Sequence, residues 1–227
     1  MLSTNEIKQR VGQEASLLVH EGMTVGLGTG STAYWFTISL AERVKKGLRI
    51  TAVPTSKEVE QLARENGIPV KTLNDVDHID ITVDGADEID PQGQLIKGGG
   101  GALLQEKLVA SASRKLVIIA DHTKLVQQLG KYPLPVEVIT YNYKHVQRKI
   151  EQTYKIEVTL REKNGSAFIT DHGHYILNCH FNKIANAALL NQELHLIPGV
   201  VETGLFINMT SSVLAGYADG TVKKLEL

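Results

Sequence analysis

Apolar residues recur with two different periods along residues 1–130. Spacings of three or four positions predict amphipathic helices, and short runs rich in β-branched residues predict strands. The first helix begins at the capping box that Ser3 and Glu6 form. The segments that follow are strand 24–27, helix 33–44, strand 49–53, helix 56–66, strand 79–83, helix 102–110 and strand 115–120. This alternation predicts an α/β fold with a doubly wound, mostly parallel, Rossmann-like sheet.

A different pattern follows the proline-containing segment 131–135, which we expect to be a stiff, extended linker. Its segments are strand 136–140, helix 143–153, strand 156–161, strands 167–170 and 175–181, helix 183–191 and strand 202–206. This βαββαβ order, with a hairpin turn at Asn164-Gly165, is typical of a smaller ferredoxin-like α+β domain. A last hairpin, 212–216 and 221–225, is expected to return to the first domain. The predicted domains are therefore 1–130 plus 207–227, and 131–206.

Composition excludes several classes of protein. The 227 residues are 42% hydrophobic, enough for a sizeable core, and 24 basic against 25 acidic residues give a net charge of −1. This balance argues against a nucleic-acid partner. The single cysteine, Cys179, excludes an internal disulfide framework and fits a reducing compartment. With no secretory pattern at the amino terminus and no apolar run of membrane-spanning length, we expect a cytoplasmic protein without a membrane partner.

A glycine-rich loop between the first strand and the second helix is the first candidate site. It reads Gly28-Thr29-Gly30-Ser31-Thr32. Glycines let a backbone approach a ligand, hydroxyls donate hydrogen bonds and a helix amino terminus attracts anions, so the loop predicts a phosphate site. A dinucleotide fingerprint would need glycine at 31, and a nucleoside triphosphate loop would need a lysine. A small phosphorylated metabolite fits better, while a glycine-rich turn that binds nothing stays open.

A second candidate site runs from residue 79 to residue 107. The strand 79–83 ends in Asp84-Gly85-Ala86-Asp87, at the edge of an α/β sheet where ligands bind. Lys97-Gly98-Gly99-Gly100 then leads into a helix whose first turn carries Glu106. Each charged residue alone is more often a turn residue or a solvated charge, but both signs gathered around a glycine string favour a site for an anionic substrate. Lys124, after strand 115–120, is predicted to face the same rim.

One sequence cluster contains residue types that can bind metal ions. His172, His174, Cys179 and His180 lie close together along the chain. Strand alternation sends Cys179 and His180 to opposite faces, so no metal site is expected and Cys179 is interpreted as a small buried hydrophobe.

Together these motifs closely resemble the type A ribose-5-phosphate isomerase family over nearly the whole chain. The matching segments are 28–32, 84–88, 97–100, 106–107, Lys124 before Leu125-Val126, and 131–138. The resemblance implies interconversion of ribose 5-phosphate and ribulose 5-phosphate in the pentose phosphate pathway, with no metal or cofactor and in a homodimer. It implies that Glu106 is the catalytic base, that Thr29, Gly30, Ser31 and Thr32 hold the phosphate with the help of Lys8, and that Asp84, Gly85, Ala86, Asp87, Lys97, Gly98, Gly99, Gly100 and Lys124 line the sugar site.

The residue chemistry agrees with an aldose-ketose isomerase that works through an enediolate. One carboxylate, assigned to Glu106, could carry out both proton transfers at carbon. Lys97 and loop N–H groups would stabilise the negative oxygen, and Asp84 and Asp87 would orient hydroxyls, either one shuttling the hydroxyl proton. Two other classes stay open: a non-catalytic sugar-phosphate sensor, and a related sugar-phosphate deaminase, lactonase or coenzyme A transferase-like enzyme.

Overall fold

Six α-helices lie within residues 1–226, the part of the chain that this computed structural model describes. Leu227, the end of the first predicted domain, lies outside the described residues. The helices are α1 Thr4–Ser16, α2 Ser31–Lys45, α3 Lys57–Glu65, α4 Leu103–Ser111, α5 Tyr143–Tyr154 and α6 Ala187–His195. Short 3₁₀ turns occur at Leu73–Asp75, His122–Lys124 and Thr140–Asn142. None of the helices in this part of the chain has the length and apolarity needed to cross a bilayer.

Fifteen strands lie in the same described part of the chain. They are β1 Thr24–Leu27, β2 Thr51–Pro54, β3 Ile81–Asp84, β4 Glu88–Ile89, β5 Leu95–Ile96, β6 Leu116–Asp121, β7 Leu134–Val138, β8 Val158–Leu160, β9 Glu162–Lys163, β10 Ser166–Ala167, β11 Tyr175–Cys179, β12 Val200–Thr203, β13 Leu205–Phe206, β14 Ser212–Gly216 and β15 Val222–Glu226.

The chain divides into two compact units, each made of separate segments. The first unit comprises 1–86, 105–125 and 209–227, and the second comprises 87–104 and 126–208. The domain boundaries at 130, 131, 206 and 207 expected from the sequence stay a prediction.

The first unit contains a six-stranded sheet in the order β15-β14-β6-β3-β1-β2. All neighbouring strands are parallel except the β14–β15 hairpin. β3 and β6 are buried along their whole length, as strands covered on both faces require. The core includes Val11 and Phe36 from the helices and Leu27 from the sheet. The predicted α/β class with a mostly parallel sheet is confirmed.

The carboxyl ends of β1, β2 and β3 meet at one edge of this sheet, and β6 continues past the partner of Asp84, Ile118, to Asp121. Leu27 of β1 is in register with Pro54 of β2 and Val83 of β3, and Asp84 is in register with Ile118 of β6. The residues that follow these strands therefore come together, although they are far apart in sequence. In sheets of this kind that edge is where ligands bind.

The second unit contains an antiparallel four-stranded sheet in the order β12-β7-β11-β8. Its elements follow the predicted βαββαβ order, and α5 and α6 contribute Val146 and Leu194 to a core shared with Val136 and Leu177 of the strands. A small three-stranded sheet, β13-β5-β4, lies beside the segment that carries Lys97. The hairpin turn has positive φ angles of 56° at Asn164 and 78° at Gly165, as predicted.

Several sequence predictions in the second unit are wrong in their bounds, and three have a clear physical reason. Pro135 lies inside β7 rather than in a linker. The pairing of β7 with β12 ends at Val136 and Thr203, so the N–H that Pro135 lacks breaks no hydrogen bond between these two strands. The helix expected from 183 begins only at Ala187, because Asn186 caps it by accepting from the Leu189 N–H. The strand expected over 202–206 divides at Gly204 into β12 and β13, which belong to different sheets.

Candidate active site

Gly28 opens the loop between β1 and α2 where two strands come very close. Its N–H donates to the Val83 carbonyl at 2.9 Å. A Cβ at this position would lie 2.3 Å from Asp84 Oδ1 and 2.4 Å from Asp84 Cα. A side chain therefore cannot fit at position 28 without a shift of β3.

Asp84, the last residue of β3, holds the loop from the other side. Its side chain is fully buried, and Oδ1 accepts hydrogen bonds from the Thr29 N–H at 3.1 Å and the Gly85 N–H at 2.7 Å. A buried carboxylate is retained only where such donors compensate for lost hydration. Asp84 thus fixes the start of the candidate phosphate loop.

The hydroxyl group of Thr29 belongs to a cluster that the sequence did not predict. Its Oγ1 lies 2.7 Å from Thr55 Oγ1 and 2.9 Å from Ser56 Oγ, both just after β2. Ser56 also caps α3 by accepting from the Val59 N–H. The available signal was the run Pro54-Thr55-Ser56 at the end of a predicted strand, which places hydroxyl groups at the same sheet edge.

Lys8 reaches the same loop from α1. Its Nζ donates to Ser31 Oγ at 2.9 Å, although 23 positions separate the two residues. Gly30 precedes α2 with a φ of 112°, a conformation that favours glycine, and Ser31 and Thr32 form the first turn of that helix. The loop therefore brings together the residues Lys8, Thr29, Gly30, Ser31 and Asp84. The Lys8 ammonium, the hydroxyl groups and the amino terminus of α2 all lie at this loop.

Glu106 lies in the first turn of α4 and is 4% exposed. Its neighbour Gln105 donates from Nε2 to the carbonyl of Pro54 at 2.9 Å. This bond ties the start of α4 to the carboxyl end of β2, which also carries Thr55 and Ser56. The amino-terminal turn of a helix carries partial positive charge, which favours an acidic side chain at this position.

Lys124 ends the 3₁₀ turn that follows β6. Asp121, the last residue of β6, accepts from both the N–H and the hydroxyl group of Thr123 and so shapes the turn. Lys124 is half-buried. β6 runs parallel to β3 toward the same edge of the sheet, and the turn begins after β6 has continued from Ile118, the partner of Asp84, to Asp121.

The second unit holds the other predicted residues, Asp87 and the segment 97–100. Asp87 Oδ2 accepts from the Gly99 N–H at 2.8 Å. Lys97 is 2% exposed, with Nζ 5.4 Å from the centre of the Phe206 ring and its N–H bonded to the Gly204 carbonyl at 2.8 Å. Gly98 has a φ of 103°, and a Cβ there would lie 2.9 Å from that of Leu103.

Arg161 is a contact of the glycine segment that the sequence did not predict. Its Nη1 donates to the carbonyls of Gly98 at 2.6 Å and Gly99 at 3.3 Å. Burial lowers the pKa of Arg161, while the nearby Tyr132 and Asp87 act in the opposite direction, and a guanidinium stays charged at neutral pH. Burial, and then the charge of Asp87, raises the pKa of Tyr132.

The histidine and cysteine cluster separates in the structure. Cys179 is fully buried, and this burial raises the pKa of its thiol. His174 Nδ1 lies 2.9 Å from Glu137 Oε1, whereas His180 Nε2 lies 3.4 Å from Thr159 Oγ1. Across residues 1–226, no three histidine, cysteine or acidic side chains are grouped so that they could hold a metal ion.

A phosphate-type loop, a lysine beside it and a buried carboxylate at the carboxyl edge of a parallel sheet are typical of α/β enzymes that act on small anionic substrates. The sequence profile of one such family, Ribose 5-phosphate isomerase A (phosphoriboisomerase A), matches residues 51–220. The chain belongs to this family, as its motifs predicted.

Individual relatives agree with the family match. Ribose-5-phosphate isomerase A of Bacillus mycoides (strain KBAB4) is 53% identical over 215 residues, which cover 94% of this chain and 97% of the relative. A solved D-ribose-5-phosphate isomerase in complex with phospho-erythronic acid superposes with a TM-score of 0.96 at 38% identity, covering 100% of both chains. The ribose 5-phosphate isomerase A of Methanocaldococcus jannaschii gives a TM-score of 0.93 at 40% identity, covering 99% of this chain and 100% of that one.

Proposed function

We propose that the protein interconverts D-ribose 5-phosphate and D-ribulose 5-phosphate through an enediolate, with Glu106 as the general base. The observation that carries this proposal is the position of Glu106. It is a buried carboxylate in the first turn of α4, whose start is bonded to the strand edge that also carries the phosphate-type loop. The family to which the chain belongs supports the same reaction.

The phosphate group of the substrate is assigned to the loop from Thr29 to Thr32. The Lys8 ammonium beside Ser31, the hydroxyl groups and the amino terminus of α2 supply positive charge and donors. A solved structure similar to this chain was obtained with phospho-erythronic acid, a phosphorylated acid, which supports an anion site in the fold. Thr55 and Ser56 would keep the Thr29 hydroxyl group in place.

The chemical step is a proton transfer between neighbouring carbons. The Glu106 carboxylate removes the proton on C2 of the open-chain aldose, and the electron pair forms the C1–C2 double bond as the carbonyl electrons move onto O1. The resulting carboxylic acid returns a proton to C1, while the O2 hydroxyl proton moves to O1 and C2 becomes the carbonyl carbon. One group that serves as base and then as acid suffices for both carbon transfers.

Stabilisation of the negative oxygen is assigned to residues of the second unit, in line with the family resemblance. Lys97 would supply positive charge, and N–H groups of the segment 98–100 would donate to the enediolate, apart from that of Gly99, which is bonded to Asp87. Asp84 and Asp87, with Gly85, Ala86 and Lys124, would orient the sugar hydroxyl groups, and either aspartate could move the hydroxyl proton. No organic cofactor or metal has a step in this scheme, and a homodimer remains a prediction from the resemblance.

The test is isomerase activity of the variant Glu106→Gln. We expect kcat to fall by about 10²–10⁴-fold, because the amide cannot accept the C2 proton, with KM changed by less than about threefold. Formation of ribulose 5-phosphate from ribose 5-phosphate measures the rate, and calorimetric binding measures affinity. Glu58→Gln is the matched control, since Glu58 is an exposed acid in the first turn of α3.

Different results would overturn different parts of the proposal. Near-normal turnover of Glu106→Gln would reject the base assignment. Binding of ribose 5-phosphate by the unmodified protein without any ketose product would indicate a sensor. Release of ammonia from an amino sugar phosphate, or a covalent thioester with coenzyme A, would indicate one of the related enzyme classes.

A further inference from the structure

We propose that Arg161 is a positioning residue: its guanidinium orients the peptide groups of the glycine segment so that the Gly100 N–H is directed toward the oxygen that becomes negative. This inference rests on the proposed function, which assigns oxyanion stabilisation to that segment. The sequence motifs do not include Arg161, which lies between β8 and β9, more than 60 positions beyond the glycines.

The guanidinium is held rigidly by the four-stranded sheet. The Arg161 N–H donates to the Ile176 carbonyl at 2.8 Å. Its Nε and Nη2 both donate to Asn178 Oδ1, at 3.2 Å and 2.7 Å. Asn178 lies in β11, which pairs with both β7 and β8. Because Asn178 holds two nitrogens of the guanidinium, the third nitrogen, Nη1, is fixed in position beside the glycine carbonyls.

Arg161 fixes the first of two successive peptide groups together with Asp87. Nη1 binds the Gly98 carbonyl at 2.6 Å, and Asp87 Oδ2 binds the Gly99 N–H at 2.8 Å. In a trans peptide the C=O and the next N–H point in opposite directions. The peptide between Gly98 and Gly99 is therefore held at both ends by side chains of opposite charge.

The direction of the next peptide group, between Gly99 and Gly100, is set in the same way. The Gly99 carbonyl lies 3.3 Å from Arg161 Nη1, so the Gly100 N–H of the same trans peptide is directed away from the guanidinium. Glycine has the widest choice of backbone angles, and the segment begins and ends with φ values of 103° at Gly98 and 86° at Gly101. The Gly101 N–H closes a turn by donating to the Gly98 carbonyl at 3.0 Å, and Arg161 adds the side-chain contacts that hold the two peptide groups inside this turn.

The kinetic consequence is specific. Donors aimed at developing charge accelerate a reaction because they need no reorganisation when the charge forms. Losing their orientation weakens the transition state more than the bound substrate, whose phosphate is assigned elsewhere. A positioning role therefore predicts a loss in kcat at nearly constant KM, whereas a general loss of folding would reduce the amount of active enzyme and its stability.

The experiment compares Arg161→Met with Arg148→Met. Met keeps the unbranched stem without donors, and Arg148 is an exposed arginine of α5 whose Nε also donates to a backbone carbonyl, that of Lys144. We expect Arg161→Met to lower kcat by about 10–100-fold with KM within about threefold of the unmodified protein, and Arg148→Met to change neither. Urea unfolding measured on the same preparations reports the folded fraction.

Chemical rescue separates positioning from packing. Added guanidinium or ethylguanidinium at concentrations below those that unfold the protein is expected to restore kcat of Arg161→Ala by about tenfold, because it can occupy the site between Asn178 and the Gly98 carbonyl. The same additive is expected to leave Arg148→Ala unchanged.

The outcomes distinguish this inference from the proposed function. If the unmodified protein forms no ribulose 5-phosphate, the proposed function fails. If it is active and folded Arg161→Met has kcat within about twofold of it, or a raised KM at constant kcat, the positioning role is overturned. If Arg161→Met does not fold, Arg161→Lys and Asn178→Ala decide: a lowered kcat at constant KM in both supports the inference, and an unchanged kcat in both overturns it.

Discussion

The close contact between Gly28 and Asp84 leaves no room for a Cβ at the start of the phosphate-type loop. At Gly28 a methyl group would lie 2.3 Å from Asp84 Oδ1, whereas at Gly85 it would lie 3.7 Å from its nearest neighbour, the Thr29 carbonyl oxygen. Gly28→Ala should therefore lower the free energy of unfolding by about 1–3 kcal/mol, the usual range for overpacking. Chemical unfolding of the two alanine variants measures the difference.

Gly85→Ala is the steric control for this prediction. A Cβ at position 85 makes only an ordinary contact at 3.7 Å, and the φ of Gly85 lies outside the left-handed region. The free energy of unfolding of Gly85→Ala should therefore lie within about 0.5 kcal/mol of that of the unmodified protein. Equal stability of Gly28→Ala would mean that β3 shifts at no cost, contrary to the tight contact observed.

The residues of the site differ in how far the sequence alone could identify them. Asp84 was predictable as a strand end, because β-branched residues precede it and it forms an Asp-Gly pair with Gly85. Its bond to the Thr29 N–H joins residues 55 positions apart, and no local pattern reports that distance. Arg161 carried no signal at all, since a lone arginine after a short strand is ordinarily a solvated charge.

Ser56 connects an element boundary to the candidate site. Its Oγ caps α3 and lies 2.9 Å from Thr29 Oγ1. Ser56→Ala should lower the free energy of unfolding by about 1 kcal/mol through loss of the cap. It should also raise KM for ribose 5-phosphate, because Thr29 loses a partner that holds its hydroxyl group toward the proposed phosphate site.

Asn186 provides the matched control at the same scale. Its side chain caps α6 by accepting from the Leu189 N–H, in a part of the second unit with no proposed substrate contact. Asn186→Ala should cost a similar free energy of unfolding and leave KM unchanged. An equal rise in KM for both variants would show that helix capping alone, rather than the Thr29 contact, affects binding.

Elements with local signals were predicted well, and elements set by distant contacts were not. The Ser3–Glu6 capping box and the Asn164-Gly165 turn are complete within a few residues, and both are observed. The break at Gly204 has another cause. A Cβ there would lie 2.3 Å from the Lys97 carbonyl oxygen, and the residue bonds to both Lys97 and Pro135. The alternation of 202–206 therefore looked like one strand, although close packing divides it.

At the scale of the whole molecule, each unit is assembled from segments that are distant along the chain. The first unit takes three segments and the second takes two. The β14–β15 hairpin joins the main sheet because β14 pairs in parallel with β6. The paired residues Val117 and Ser212 are 95 positions apart along the chain. Order along the chain identified both architectures, whereas the unit boundaries depend on contacts between remote segments.

We expect the isomerase activity of the intact protein to be independent of metal ions. In the proposed mechanism the Glu106 carboxylate transfers the proton and Lys97 is assigned to the negative oxygen, so no Lewis acid is required. Dialysis against a chelator should therefore leave kcat/KM within roughly twofold of a sample dialysed without it. Loss of activity that Zn²⁺ or Mg²⁺ restores would contradict the proposed mechanism.

The sequence by itself determined the alternation of elements, the two architectures, the family and the motifs at 28–32, 84–87, 97–100 and 106, because each depends on short-range patterns of apolar residues, glycines and charges. Only the tertiary structure decided which groups hold those motifs in place: Asp84 on the Thr29 N–H, Thr55 and Ser56 beside the Thr29 hydroxyl group, and Arg161 on the glycine carbonyls. These are directional hydrogen bonds between residues far apart along the chain, and their partners become neighbours only when the strands pair and the core closes.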